Sequence, residues 1–180
     1  VILIIISHVS LPSPASLQWR DSLISKGKSM RTFNTPESLE AEVGKEVCVS
    51  EWLTISQERV NKFAEATDDP QWIHVDIERA KRESPFGGTI AHGFLTLSLL
   101  PKFFESQVEL PFGKMSINYG TNKVRFPSPM LVGGRVRGRF SLLSVERLPD
   151  CVQSVWKMTV EQEGSDKPVC VAESVVRRYF

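Results

Sequence analysis

The chain has 180 residues, 41% of them hydrophobic, and carries 22 Lys and Arg against 21 Asp and Glu for a formal net charge of +1. That length fits one domain with a sizeable core, and so even a balance of charge provides no global field to recruit nucleic acid or an acidic membrane surface. No apolar run reaches the roughly 18 to 20 residues that cross a bilayer, and three widely spaced cysteines without a CxxC pair read as reduced thiols of a cytoplasmic protein rather than a disulfide framework or a zinc site.

Residues 1–29 differ from everything after them, with an apolar run from Val1 to Ile6 and then a Ser-rich segment holding a single acid, Asp21. They are expected to form an N-terminal extension outside the core. Three origins stay open: sequence upstream of a start at Met30, part of a Ser-rich transit peptide, or a short ordered strand and helix. Pro36 to Val43, preceded by Thr35 as a cap, predicts a short helix with Pro in its first turn. Lys45 to Leu53 reads as a strand. Thr54 with Gln57 three residues later has the form of a capping box, and Val60, Phe63 and Ala64 supply the apolar face of the helix that follows.

That helix leads into a loop from Asp68 to His74, where Pro70 opposes continuation. Asp76 can then cap a short helix through Ile77, Ala80 and Lys81, ending in a turn over Pro85–Gly88. From Thr89 to about Phe104 the residues are apolar almost all the way round, the pattern of a helix buried on most sides, with Pro101 expected to kink or end it. The remainder is strand-like. Lys114 to Phe126 is one candidate; Val136, Gly138, Phe140 and Leu142 alternate with Arg135, Arg137, Arg139 and Ser141 in the next; Val152 to Val160 repeats the period of two; Lys167 to Tyr179 is the last. Leu148 to Asp150 and Gly164 to Asp166 read as hairpin turns. One early strand, a buried helix and four late strands make an α+β chain.

Two of the three histidines, His74 and His92, fall between Phe63 and Leu100. Asp69 and His74 stand five residues apart, close enough for a carboxylate and an imidazole to converge on one water, as proton transfer near neutral pH requires. On spacing alone, a capping carboxylate and a core histidine explain such a pair better. The segment ATDDPQWIHVD, the block SPFGGTIAHGFLTLSLLP that begins ten residues after His74, and INYGTNKVRFPSP at Ile117–Pro129 together change this reading. Over residues 30–180 the chain resembles the MaoC-like dehydratase family, in particular its nodulation-protein-N branch.

The resemblance implies a hot-dog fold, in which a curled antiparallel sheet wraps a central helix. It also implies a homodimer and an (R)-specific enoyl-CoA hydratase that converts a trans-2-enoyl-CoA reversibly to an (R)-3-hydroxyacyl-CoA. Asp69 and His74 are the implied catalytic pair. The Gly93 backbone N–H is the implied donor to the thioester carbonyl, unless Gly93 serves only for close packing of the helix start. His92 is expected to support the loop. No metal and no cofactor are implied, coenzyme A being part of the substrate.

Two departures from the family pattern stand out. Gln71 and Trp72 replace the Asn and Pro of typical hydratases, although they fit the nodulation branch. Asp68 replaces a common Gly, either keeping a left-handed backbone or pointing a second negative charge inward beside Asp69. Other activities remain in view: a hot-dog acyl-CoA thioesterase, and a non-catalytic acyl-CoA-binding or partner-binding domain, made plausible by Asp68. Arg135, Arg137 and Arg139 share one strand face, and Lys123 and Arg125 share another. They are expected to be solvated, with phosphate contacts to coenzyme A as the alternative.

Overall fold

A computed structural model describes residues 30–180; the expectations for residues 1–29 lie outside the described residues. Five long or medium strands and one short one make the principal sheet: β2 (Glu46–Val49), β3 (Leu53–Thr54), β6 (Met115–Arg125), β8 (Arg135–Arg147), β9 (Cys151–Gln162) and β10 (Cys170–Tyr179). Their order is β2-β8-β9-β10-β6, with β3 also on β8. Every pairing in this sheet is antiparallel. Two smaller ladders flank it: β1 (Arg31–Thr32) runs parallel to β5 (Val108–Glu109), and β4 (Ile90–Ala91) antiparallel to β7 (Met130–Leu131).

The period-two pattern of β8 translates directly into burial. Val136, Gly138, Phe140 and Leu142 face the core, while their arginine neighbours face outward. The same alternation in β9 buries Val152, Ser154, Trp156, Met158 and Val160. Against this inner face lie two short helices in succession, α5 (Gly93–Ser98) and α6 (Leu100–Glu105). They bury Leu95, Leu99, Leu100 and Phe103 against Phe140, Trp156 and Val160, which belong to the same apolar cluster. Gly138 permits this approach, because a Cβ there would stand 2.7 Å from the Phe140 ring and 2.9 Å from the Phe103 Cβ.

The structure corrects the expected helix from Thr89 to Phe104 in two ways and bears out its expected break. Ile90 and Ala91 form a strand, since their backbone pairs with Leu131 and Met130. As expected of Pro101, the helical segment then divides at Leu99, the proline, which has no N–H for a helical bond, sitting in the first turn of the second piece. Phe94 is also exposed, at 68%, so the helix is covered on fewer sides than its composition suggests.

Upstream, α1 (Pro36–Glu40) is capped by Thr35 in a reciprocal arrangement with Ser38, and Arg147 of β8 pairs with Glu37 and Glu40 to hold it on the sheet. Helix α2 (Gln57–Thr67) starts two residues after the place expected. Its cap is Ser56, whose hydroxyl accepts the Arg59 N–H, while Thr54 pairs with Arg135 as part of β3. The remaining helices are α3 (Trp72–Val75) and α4 (Ile77–Glu83), and Asp76 caps the latter as expected. Thiols Cys151 and Cys170 are buried and not in disulfides; burial pushes the Cys170 thiol up to about 11, which suits a packing role rather than reactivity.

Candidate active site

Helix α2 ends at Thr67 because Asp68 turns the chain left-handed, with φ 52° and ψ 36°, while its N–H closes on the carbonyls of Ala64 and Glu65. Asp68 is the one described non-glycine residue with positive φ. It thus adopts the backbone that glycine takes most easily, and its exposed side chain borders a shallow groove with Asn61, Glu65 and Pro70. Asp68→Gly is expected to leave stability within about 1 kcal/mol, relief of the left-handed strain being offset by greater freedom of the unfolded chain. Turnover should be unchanged. A thermal melt and a rate measurement check both, and a tenfold or greater loss of rate would place Asp68 in the catalytic machinery.

Asp69 follows, its N–H bonded to the Ala64 carbonyl at 3.0 Å. The side chain is 56% exposed. After Pro70 the chain forms the single turn α3, so His74 lies on a short helix rather than on the expected loop. That helix is fastened from two directions. The Arg79 guanidinium stacks over the Trp72 ring at 4.4 Å. Gln57 donates from its side-chain amide to the His74 carbonyl at 2.7 Å and to Asn61 at 2.8 Å. Its amide oxygen accepts the Thr89 hydroxyl at 2.6 Å. The sequence suggested only a capping role for Gln57, since nothing in its spacing points to partners 17 and 32 residues away.

His74 is buried, and its Nδ1 lies 2.7 Å from the Ile90 carbonyl. A carbonyl can only accept, so Nδ1 carries the proton and the neutral ring keeps a lone pair on Nε2. Burial pushes the imidazole below the ordinary histidine range; His92 acts in the same direction, while the Ile90 carbonyl and Asp69 oppose it. The His92 ring stacks on His74 with centroids 3.7 Å apart. Its Nε2 lies 3.0 Å from the Asp69 backbone carbonyl and 3.8 Å from the Asp69 carboxylate.

A carboxylate oxygen of Asp69 and a ring nitrogen from each histidine thus fall within 4.8 Å of one another. The distances invite comparison with a cation site. The two rings lie stacked with their planes 28° apart, and the Nδ1 of His74 is already committed to the Ile90 carbonyl, which leaves only its Nε2 to face such a site. A separation of this size does suit one water held between Asp69 and His74 by two hydrogen bonds of ordinary length.

Gly93 opens helix α5 beside this group, and no side chain caps that helix. Its first N–H groups have no intrahelical acceptor. Close packing explains the glycine as well: a Cβ would meet the Phe126 ring at 2.9 Å. Both expected roles for Gly93 are therefore compatible with the geometry. The arginines of β8 are engaged elsewhere, Arg135 with Glu163, Arg137 with Glu161 at 2.8 Å, and Arg139 with Glu46 at 2.8 Å. They form the outer face of the sheet and are not brought to the dyad.

Comparison with known proteins supplies independent findings. Residues 38–163 match the family model described as MaoC like domain. The chain is 56% identical over 149 residues to 3-hydroxyacyl-thioester dehydratase Z of Mycobacterium tuberculosis, covering 82% of this chain and 98% of that protein. It is 47% identical over 132 residues to nodulation protein N of Rhizobium leguminosarum, covering 72% and 82% respectively. Among solved structures, the R-hydratase PhaJ1 from Pseudomonas aeruginosa superposes with a TM-score of 0.63 at 23% identity, over 77% of this chain and 82% of that one. The (R)-hydratase from A. caviae gives 0.58 at 23%, over 72% and 96%. At that identity the structural likeness speaks for the hot-dog fold alone.

Proposed function

Because the chain belongs to the MaoC-like dehydratase family and is a hydro-lyase, we propose that it reversibly hydrates a trans-2-enoyl-CoA to an (R)-3-hydroxyacyl-CoA. The observation that carries this reading is the convergence of the Asp69 carboxylate and a buried His74 ring within 4.8 Å, with the His74 proton held on Nδ1 by Ile90. In that tautomer Nε2 is a proton acceptor. A water held between Nε2 and the carboxylate loses a proton as its oxygen bonds to C3, and a proton returned from the pair completes C2. Water is thereby added across the double bond with nothing oxidised or reduced, and coenzyme A enters as part of the substrate.

Hydration builds enolate charge on the thioester oxygen. The Gly93 N–H at the start of α5 is the proposed donor, a contribution worth roughly 2.7 to 4 kcal/mol in comparable sites. Asp68 departs from the family pattern in side chain but holds the left-handed backbone that glycine takes most easily, which weakens the case for a non-catalytic domain. Incubation with crotonyl-CoA, followed both for loss of enoyl absorbance and for free thiol, tests the proposal. Absorbance should fall without thiol release, and only an (R)-specific 3-hydroxyacyl-CoA dehydrogenase should consume the product. Thiol release in step with turnover would mean a thioesterase instead.

The base is the unprotonated His74 ring, and its pKa is lowered. The value of kcat/KM should therefore hold its plateau as pH falls through the ordinary histidine value of about 6.5 and decline only below it. The same shift makes the unfolded chain the better proton binder. Its contribution to stability is complete above about pH 6.5 and is lost as pH falls through the window beneath. A decline that begins at or above the ordinary value would remove His74 from the role of base.

The proposed assembly is a homodimer through β6. This strand ends the principal sheet, is exposed along nearly its whole length, and presents Met115, Ile117 and Tyr119. Long apolar edges invite pairing unless blunted. Its cations, Lys123 and Arg125, occupy one half, so antiparallel pairing about Gly120 sets each basic half against the neutral half of a second copy. Ile117→Lys should convert a two-chain mass in analytical ultracentrifugation to that of one 20.3 kDa chain, with the circular dichroism preserved. An unchanged dimer would put the interface elsewhere.

A further inference from the structure

We infer that His92 is a positioning residue of the hydration site, acting as a single hydrogen-bond donor that fixes the Asp69 backbone beside the His74 ring. The inference rests on the proposed hydratase reading for its kinetic consequence, although its structural part does not.

The segment Ile90–His92 serves both members of the dyad. From one end, the Ile90 carbonyl accepts the His74 Nδ1 proton. From the other, the His92 ring reaches the Asp69 carbonyl with Nε2 at 3.0 Å. This second bond requires the proton on Nε2, because the carbonyl it meets is an acceptor. His92 is 3% exposed and packed between His74, at 3.7 Å, and the Phe63 ring, at 5.1 Å. Its Nδ1 is buried and meets no protein hydrogen-bond partner, so the bond to the Asp69 carbonyl is the one hydrogen bond the ring makes to protein.

The arrangement answers a mechanical need. Asp69 follows a left-handed residue and precedes a proline, and its side chain is more than half exposed. Apart from its own N–H on Ala64, the bond from His92 is what ties this backbone to the Ile90–His92 segment, which also holds His74 through the Ile90 carbonyl. A displacement of the carboxylate by about 1 Å can cost on the order of 10²-fold in rate. His92 thus acts on the reaction through Asp69, without touching the reacting atoms.

Two substitutions separate the hydrogen bond from the stack. Phenylalanine keeps an aromatic ring between His74 and Phe63 but has no donor. Glutamine places an amide N–H near the position of Nε2 but does not stack as an aromatic ring. His92→Phe should lower kcat with crotonyl-CoA by roughly 10- to 100-fold with KM little changed, and His92→Gln should restore most of the loss. Hydrogen–deuterium exchange in residues 68–71 should quicken in His92→Phe and not in His92→Gln. Loss of activity in both variants to the same extent would make His92 a proton-transfer group or a stacking element and overturn the inference. So would wild-type exchange in His92→Phe. Should the wild-type protein fail to hydrate crotonyl-CoA, the hydratase reading falls, while the exchange comparison still decides the role of His92.

Discussion

Asp69→Asn and His74→Gln are each expected to lower kcat for enoyl-thioester hydration by roughly 10² to 10⁴, the range for loss of a general acid–base group. Each change is close to isosteric, so the site keeps its shape while losing a proton acceptor. For Asp69 the exposed side chain implies almost no change in melting temperature. For His74 the lost bond to the Ile90 carbonyl costs about 1 kcal/mol, too little to unfold the chain. The double variant should be barely worse than either single one, because both groups act on one water and removal of either disables the unit. Steady-state rates with crotonyl-CoA for the three variants test this. Near-wild-type turnover in either single variant, or multiplicative losses in the double, would mean that the two residues do not work as a pair.

Trp156→Ala should produce the largest loss of stability, about 3 to 5 kcal/mol. The indole is fully buried, stacks edge-on with Phe104 at 4.7 Å, and donates from Nε1 to the Ser154 hydroxyl at 2.9 Å. Truncation empties the space between the sheet and α6 and removes a buried hydrogen bond, and the close-packed neighbours Phe140 and Leu142 can collapse into it only in part. For a chain of this length the melting temperature should fall by roughly 10 °C. Since Trp156 lies away from the dyad, the folded fraction should retain its kcat near 20 °C. A shift of only a degree or two would show that α5 and α6 are not held by this cluster.

Much of the site was legible because it is local. Asp69 and His74 are brought together by a helix end, a left-handed residue, a proline and one helical turn, all within eight residues, and all of these but the helical turn have a sequence signature. The Asp68 departure could be read as a backbone demand and is one. The supporting shell was not legible in the same way. Gln57 looked like part of a cap, yet its amide joins α2, α3 and Thr89. The stacking of His92 on His74 depends on β4 passing beside α3, and no periodicity encodes that crossing.

What the sequence determined by itself is what depends on neighbours a few residues away: the caps at Thr35 and Asp76, the inward and outward faces of β8 and β9, the hairpin turns between the late strands, and the break that Pro101 imposes. Local sterics and a period of two or 3.6 leave little freedom there. Tertiary structure alone decided the strand order, the two-residue ladders of β1 with β5 and β4 with β7, the pairing of the β8 arginines with Glu46, Glu161 and Glu163, and the exposure of β6 at the sheet edge. Such ladders are too short to show a pattern, and an arginine on an outer face has many acids within reach of its composition but few within reach of its guanidinium. Which acid it meets, and which histidine lies over which, follows from how the chain closes on itself, because those contacts join residues tens of positions apart.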